Sequence, residues 1–138
     1  DLPQQERFWR GFVAFFDFVD SNREAWGVLY RDAVEIDDAM VKGIHSLNAA
    51  LAETIAGVFA RALEGRSSDP LLTQYSLAAG HAVVGGCHAL ADYWLEHPEE
   101  TTLRMAATAM AVLWKGFGDM IEDGKPWFPT EQMLKGLV

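Results

Sequence analysis

Two long apolar stretches, residues 69–97 and 98–123, follow each other in the sequence with almost no connecting loop. In the first stretch, small and apolar residues fall on every side of the predicted helix rather than along one stripe. A single neighbouring face cannot cover such a helix, so it needs packing partners on two sides. The subunit's own core can supply one partner, and we expect a second copy of the chain to supply the other.

The rest of the pattern is also helical, because apolar residues recur every three or four positions and no segment alternates with period two for long enough to form a strand. The apolar residues run at helical spacing from Phe8 to Val19 and again from Met40 to Leu63. The sequence therefore predicts an all-α fold of one domain, residues 1–138, with five main helices and a short C-terminal helix. The predicted helices cover about 3–19, 23–33, 36–64, 69–97 and 98–123, and the short one begins at Thr130.

Polar residues and proline mark the ends of these helices. Asp69 supplies a capping carboxylate, and Pro70 takes the first helical position, where a missing N–H leaves no hydrogen bond unmade. Glu99 and Glu100 are expected in the first turn of the fifth helix, where the helix dipole favours negative charge. Residues 20–22 form a turn and cap between the first two helices.

Composition and charge exclude several classes of protein. Half of the 138 residues are apolar, which is enough to bury a core and excludes a disordered chain. The balance of 11 basic and 20 acidic residues gives a net charge of -9. An acidic surface repels phosphate backbones, so this segment by itself is not expected to bind nucleic acid.

Cys87 is the only cysteine in the sequence, which excludes an internal disulfide and a cluster of thiolate ligands. We expect it to be a small buried hydrophobic residue in a reducing compartment. The sequence opens without the basic residues of a signal peptide. The longest run without Asp, Glu, Lys or Arg, residues 70–91, contains Thr, Gln, Ser and two His, which argues against a membrane span. The expected location is the cytoplasm.

Aromatic residues are concentrated in the first 30 residues of the sequence. Planar rings around a gap are typical of an apolar ligand site, but such rings also form ordinary cores, and both interpretations stay open. Polar residues on apolar faces favour the ligand site, since His81, His88 and Asp92 share one stripe of the fourth helix and His45 and Asn48 flank the apolar seam of the third. The expected ligand-binding residues are Phe12, Phe16, Trp26, Tyr30, Asn48, Leu51, His81 and His88.

Small residues follow one face of the fourth helix between Ala78 and Ala89, and bulky residues follow on the fifth. Small residues let another helix approach closely, so the last two long helices of two subunits would form a four-helix bundle. A stable interface of this kind buries about 1,200–2,000 Å² in total. The expected interface residues are Ala82, Gly86, Ala89, Tyr93, Met110, Leu113, Trp114 and Phe117.

The sequence does not predict a metal site, a cofactor or an enzyme. His81 and His88 are two helical turns apart, about 10 Å along the axis at 1.5 Å per residue, which is too far to share one ion. Only His88 and Asp92 have an i, i+4 geometry that could bind one. There is no nucleophile elbow, no glycine-rich phosphate loop and no His-Glu-x-x-His motif, so no residue carries an evident catalytic role.

Four segments stand out when read in order: residues 16–31 (FDFVDSNREAWGVLYR), 80–86 (GHAVVGG), 91–98 (ADYWLEHP) and 111–117 (AVLWKGF). Together they resemble the C-terminal regulatory domain of the tetracycline repressor (TetR) family of bacterial transcription regulators. The resemblance implies an operator-binding homodimer controlled by a small effector. Members of that family begin with a helix-turn-helix DNA-binding unit, and this chain starts at what corresponds to the family's fifth helix. We therefore expect these 138 residues to lack that unit, either as a fragment of a longer regulator or because the unit has been lost.

From the residues and the resemblance we expect the ligand-sensing and dimerisation domain of a TetR-like regulator, most simply a repressor. A small and mostly apolar effector would control DNA binding by the N-terminal unit. The alternative is a helical dimerisation or protein-interaction module without a small ligand.

Overall fold

All regular elements of the described chain are helices, which confirms the predicted all-α fold. The computed structural model describes residues 4–28, 38–63, 71–116, 119, 127 and 129–135. The helices are α1 (Gln4–Ser21), α2 (Arg23–Trp26), α3 (Asp38–Leu63), α4 (Leu71–Glu96), α5 (Thr102–Ala109) and α6 (Glu131–Lys135), and a π-helical segment (Met110–Trp114) continues α5. None of the helices in these ranges combines the length and the apolar content that crossing a membrane requires.

The predicted bounds of α1, α3 and α4 agree within two residues with the ranges over which these helices are described, and the ends of α1 at Ser21 and of α4 at Glu96 lie inside the described ranges. The prediction that Asp69 and Pro70 begin the fourth helix falls outside the described residues, as does the predicted second helix beyond residue 28. At the junction of α1 and α2, the side-chain amide of Asn22 donates to the carbonyl of Phe18 at 2.8 Å. The short C-terminal helix follows Thr130 as predicted, and the Thr130 hydroxyl accepts from the backbone N–H of Met133 at 3.3 Å.

The fifth helix begins later than predicted, and this corrects the placement of Glu99 and Glu100 in its first turn. Residues 98–100 form a turn, and α5 is capped by the Thr101 hydroxyl, which accepts from the backbone N–H of Arg104 at 3.2 Å. The indole N–H of Trp94 donates to the carbonyl of Glu100 at 2.7 Å and holds the turn against the end of α4. Threonine is a preferred N-cap residue, so α5 begins directly after Thr101, and Glu99 and Glu100 lie in the turn before it.

The core lies between α1, α4 and α5. Phe12, Phe16 and Val19 form the buried face of α1, and the buried face of α5 consists of Met105, Ala106 and Ala109. The two alanines of α5 leave room for the rings of α1, so these two helices pack along each other. Trp94 of α4 completes this core and is 1% exposed.

Helix α3 packs along α4 on the other side of the molecule. Gly80 makes this contact very close, because a Cβ atom at this position would overlap the carbonyl oxygen of Ala52 and would lie 3.3 Å from the backbone nitrogen of Ala56. The helices therefore meet backbone to backbone. The most extensive helix contacts thus join α1 with α5 and α3 with α4, and a site can form in the space left between these pairs.

Candidate functional site

A cavity of about 440 Å³ lies between α1, α3 and α4. It forms because α1 packs against α5 while α3 packs against α4, and the two pairs do not close the space between them. A volume in this range is typical of a site for a small molecule. The lining residues are Arg7, Phe8, Gly11, Phe12, Phe15, Leu51, Ile55, Val58, Val83, Val84, Cys87 and His88.

The cavity has an apolar floor and a mouth at the surface. Its buried lining residues, which include Phe12, Val83 and Cys87, form the floor. Its exposed lining residues, Arg7, Gly11 and Leu51, mark the mouth. A ligand could therefore enter from solvent and bury an apolar surface against rings and aliphatic side chains.

Gly11 leaves the mouth open. A Cβ atom at this position of α1 would have no atom within 4 Å, apart from its own helix and neighbours. A larger side chain at this position would therefore extend into the opening without a clash at its first carbon.

His88 is a polar lining residue whose imidazole packs against aromatic rings. Its imidazole stacks on Phe15, with 6.3 Å between ring centroids and an interplanar angle of 9°. It meets Trp26 edge-on at 5.1 Å and 82°. Burial lowers the pKa of His88, and the carboxylate of Asp92 opposes this shift only in part. The imidazole is therefore neutral near pH 7 and offers one hydrogen-bond donor and one acceptor.

Cys87 lines the floor of the cavity next to His88. Burial raises the pKa of its thiol to about 12. The thiol is therefore protonated at neutral pH and acts as a soft apolar contact, as the sequence predicted, rather than as a nucleophile.

Three of the eight predicted ligand-binding residues, Phe12, Leu51 and His88, lie together in the cavity lining. Phe16 and Trp26 are buried behind it, where Phe16 meets the ring of Trp94 at 5.8 Å and Trp26 meets that of Phe15 at 5.4 Å.

Asn48 lies one helical turn before Leu51 on α3, and its buried Oδ1 has no hydrogen-bond partner among the described residues. His81 is exposed on α4 and does not line the cavity. Tyr30 falls outside the described residues. The polar stripe predicted on α4 thus divides, because His88 lines the cavity whereas His81, two turns earlier on nearly the same side of the helix, is exposed.

Sequence reasoning did not name the other nine lining residues as ligand contacts. Phe8 and Phe15 were part of the noted aromatic cluster, and the series Phe8, Phe12, Phe15 at helical spacing is the signal that places them on one face. Ile55 and Val58 lie on the predicted apolar seam of the third helix. Nothing in the local sequence indicates that Gly11 or Arg7 reaches the opening.

The opposite side of α4 is exposed and consists mostly of small residues. Ala78, Ala82, Gly85 and Ala89 follow one another along it, and Tyr93 continues the row with 47% of its surface exposed. A Cβ atom at Gly85 would have no atom within 4 Å, apart from its own helix and neighbours. This row, Ala78 to Tyr93, is called the outer face of α4 below.

The predicted interface residues divide between this face and the subunit's own core. Ala82, Ala89 and Tyr93 are exposed on the outer face of α4. Gly86 faces inward, since a Cβ atom there would lie 2.8 Å from the Leu113 side chain. Met110, Leu113 and Trp114 are partly buried against the core, and the Trp114 ring lies 4.8 Å from that of Phe8. The Phe117 side chain falls outside the described residues.

Within the described ranges, no three His, Cys, Asp or Glu side chains come together in a way that could hold a metal ion. The polar groups around the cavity are a neutral imidazole, a neutral thiol and a guanidinium at the mouth. Such an arrangement can bind and orient an organic molecule.

Comparison with protein families gives one match that covers most of the chain. The family described as "Tetracyclin repressor-like, C-terminal domain" matches residues 4–117. Comparisons with curated proteins and with solved structures gave no significant match. The family match spans every main helix of the described chain, from α1 through the π-helical segment. The chain therefore belongs to the family of tetracycline repressor-like C-terminal domains.

Proposed function

We propose that this chain is the effector-sensing and homodimerisation domain of a TetR-like transcription regulator that acts in the cytoplasm. Its effector is a small and mostly apolar molecule that binds in the cavity between α1, α3 and α4. The observation that carries the proposal is the division of α4, which lines an apolar cavity on one side and exposes a row of small residues on the other. The family of the chain is one of regulatory domains, which agrees with a role in sensing rather than in catalysis.

The two helix pairs suggest how binding could be transmitted. Helices α3 and α4 meet backbone to backbone at Gly80 and Ala52, so they move together. Helix α1 contacts that pair through side chains, with Phe15 against His88 and Phe16 against Trp94, so α1 can change its position by repacking of side chains. An effector that fits one arrangement of α1 against the α3–α4 pair better than another would shift the population toward it. A DNA-binding unit attached ahead of α1, as in TetR-family proteins, would respond to that shift.

The second part of the proposal is that the outer face of α4 contacts its counterpart in another subunit. Four small residues at helical spacing allow the backbones of two helices to approach closely. A two-fold interface places the same row on both subunits, so a single substitution in the row acts twice. A row of exposed apolar residues ending in a half-exposed tyrosine is costly to leave in water, which favours burial against a partner.

Substitutions at two glycines test the two parts of the proposal separately. Gly11→Leu fills the mouth of the cavity, and Gly85→Leu places a bulky side chain on the outer face of α4. Neither first carbon meets a neighbour, and leucine is favoured over glycine in a helix by up to about 1 kcal/mol, so both variants are expected to fold. Each variant is therefore the control for the other.

The measurements are thermal unfolding in a library of hydrophobic compounds and sedimentation at several protein concentrations. A compound present at about 100 times its dissociation constant stabilises the wild-type chain by about 2.7 kcal/mol. Gly11→Leu is expected to remain a dimer and to lose this shift, and Gly85→Leu is expected to become a monomer whose cavity is intact. A wild-type chain that no compound stabilises would favour the helical interaction module, and a wild-type chain that sediments as a monomer would refute the dimer.

A further inference from the structure

We infer that the effector is an elongated apolar molecule with a single anionic group, whose apolar part lies along the cavity and whose charge lies at Arg7. This inference rests on the proposed effector site and names the class of its ligand.

The lining extends over about two turns of each of two helices. On α1 the cavity is bordered by residues of successive turns, from Arg7 to Phe15. These eight steps along the helix correspond to about 12 Å at 1.5 Å per residue. On α3 the lining residues run from Leu51 to Val58, which is about 10 Å by the same measure. Walls of this length can lie against an extended apolar group.

Among the described residues of the floor, no side chain carries a charge that could neutralise that of a ligand. The polar groups of the floor are the Cys87 thiol, which burial keeps protonated, and the His88 imidazole, which burial keeps neutral. The remaining floor is made of rings and aliphatic side chains, Phe12 and Val83 among them. A charge moved from water to such a surface without a partner is strongly unfavourable, so the buried part of the effector is uncharged.

Arg7 contributes a cationic side chain to the lining at the mouth. Among the described lining residues, Arg7 is the only one whose side chain is ionised throughout the neutral range. The adjacent acid, Glu6, pairs instead with Arg10, one turn along α1, at 2.8 Å. Arg7 makes a contact of its own within the chain, and a guanidinium has five N–H donors, enough to keep that contact and also bind a carboxylate.

The net charge of the chain predicts the opposite ligand preference. At -9, the whole molecule attracts cations and repels anions at long range. If the overall field decided the ligand, amines would bind better than acids of the same length. If Arg7 decides it, the order is reversed.

The test uses decanoate, decanol and decylamine, three probes with the same chain and different ends, each kept below its micelle concentration. Dissociation constants are measured by calorimetry on the wild-type chain, on Arg7→Gln and on the control Lys42→Gln, which removes an exposed positive charge outside the lining. Decanoate is expected to bind the wild type about tenfold more tightly than decanol, since a charge-assisted hydrogen bond is worth that much at a partly exposed site. Arg7→Gln is expected to remove this preference, Lys42→Gln to retain it, and Gly11→Leu to block decanoate.

Other outcomes separate the inference from the proposed function. Equal binding of decanol and decanoate to the wild type, tighter binding of decylamine, or a preference for decanoate that survives in Arg7→Gln would each overturn the assignment to Arg7 and leave the effector site in place. Failure of all three probes would overturn the elongated ligand. Only the absence of any stabilising compound in the wider library would overturn the site itself.

Discussion

The described helices are held together by two different kinds of contact. At one end of the molecule, side chains interlock in a ring cluster made of Phe15, Phe16, Trp26, His88 and Trp94. Along α3 and α4, by contrast, Gly80 removes the side chain altogether so that backbone meets backbone at Ala52. The ring cluster gains stability from burial and edge-to-face packing, whereas the glycine contact gains it from close approach.

The difference explains where the cavity lies. Rings need space around them and hold helices apart, while glycine and alanine draw helices together. The cavity occupies the boundary between these two regions, with rings of α1 as one wall and the close-packed α3–α4 pair as the other. A structure held by only one kind of contact would close this space or would open it along its whole length.

The substitution with the largest expected effect on stability removes a ring from the cluster. Trp94→Ala deletes a side chain that is 1% exposed, that meets Phe16 at 5.8 Å and that donates to the Glu100 carbonyl at 2.7 Å. The expected loss in the free energy of unfolding is about 3–5 kcal/mol, measured by chemical denaturation at fixed protein concentration. The control Trp127→Ala changes a ring that is 74% exposed and should stay within about 0.5 kcal/mol. Similar losses in both variants would contradict the importance assigned to the cluster.

The next test adds one carbon to the close contact. Gly80→Ala would force α3 away from α4, because the new Cβ overlaps the Ala52 carbonyl oxygen. We expect a loss of about 1–3 kcal/mol, although alanine is favoured over glycine in a helix by about 1 kcal/mol. Gly43→Ala on α3 makes the same change where no atom lies within 4 Å, and it should be neutral or stabilising. A gain in stability in both variants would show that the helices are not in backbone contact.

The smallest expected effect concerns protonation within the ring cluster. The pKa of His88 is lowered from its ordinary value of 6.5 by burial, so below pH 6.5 the unfolded chain takes up a proton that the folded chain does not. Stability should therefore fall as the pH drops from 6.5 through the lowered pKa of the folded state. Thermal melting across this range should show a flatter profile for His88→Gln than for the wild type, and the exposed His81→Gln should follow the wild type. Parallel profiles for all three proteins would argue against a buried, neutral imidazole.

Most of the fold could be predicted because the apolar pattern carries it. The apolar seams from Phe8 to Val19 and from Met40 to Leu63 lie in α1 and α3. The stretch with small and apolar residues on every side lies in α4. The start of α5 could not be predicted in the same way. Carboxylates and a threonine near it are all acceptable at a helix N-terminus, and the hydrogen bond from Trp94 to Glu100 that selects among them joins residues of two elements.

The sequence predicted the type of site but not the full set of residues that line it. Crowded rings near the start of the chain pointed to an apolar cavity, and Phe12, Leu51 and His88 do line one. The prediction could not separate lining from core, because Phe12 and Phe16 are equivalent in the sequence and differ only in what α4 and α5 place beside them. Arg7 and Gly11 were missed since an arginine and a glycine on a predicted helix gain a meaning only when the opposite wall is known.

The π-helical segment at 110–114 has a consequence for how this chain is aligned with other members of its family. A wide turn fits one residue more than an α-helix would need, so every later position is turned by about 100° relative to a regular helix. Leu113 and Trp114 each reach a different neighbour in this arrangement, Gly86 for one and Phe8 for the other. A relative with a regular helix here should align with a one-residue gap in this turn, and scoring it without the gap would compare residues that point in different directions.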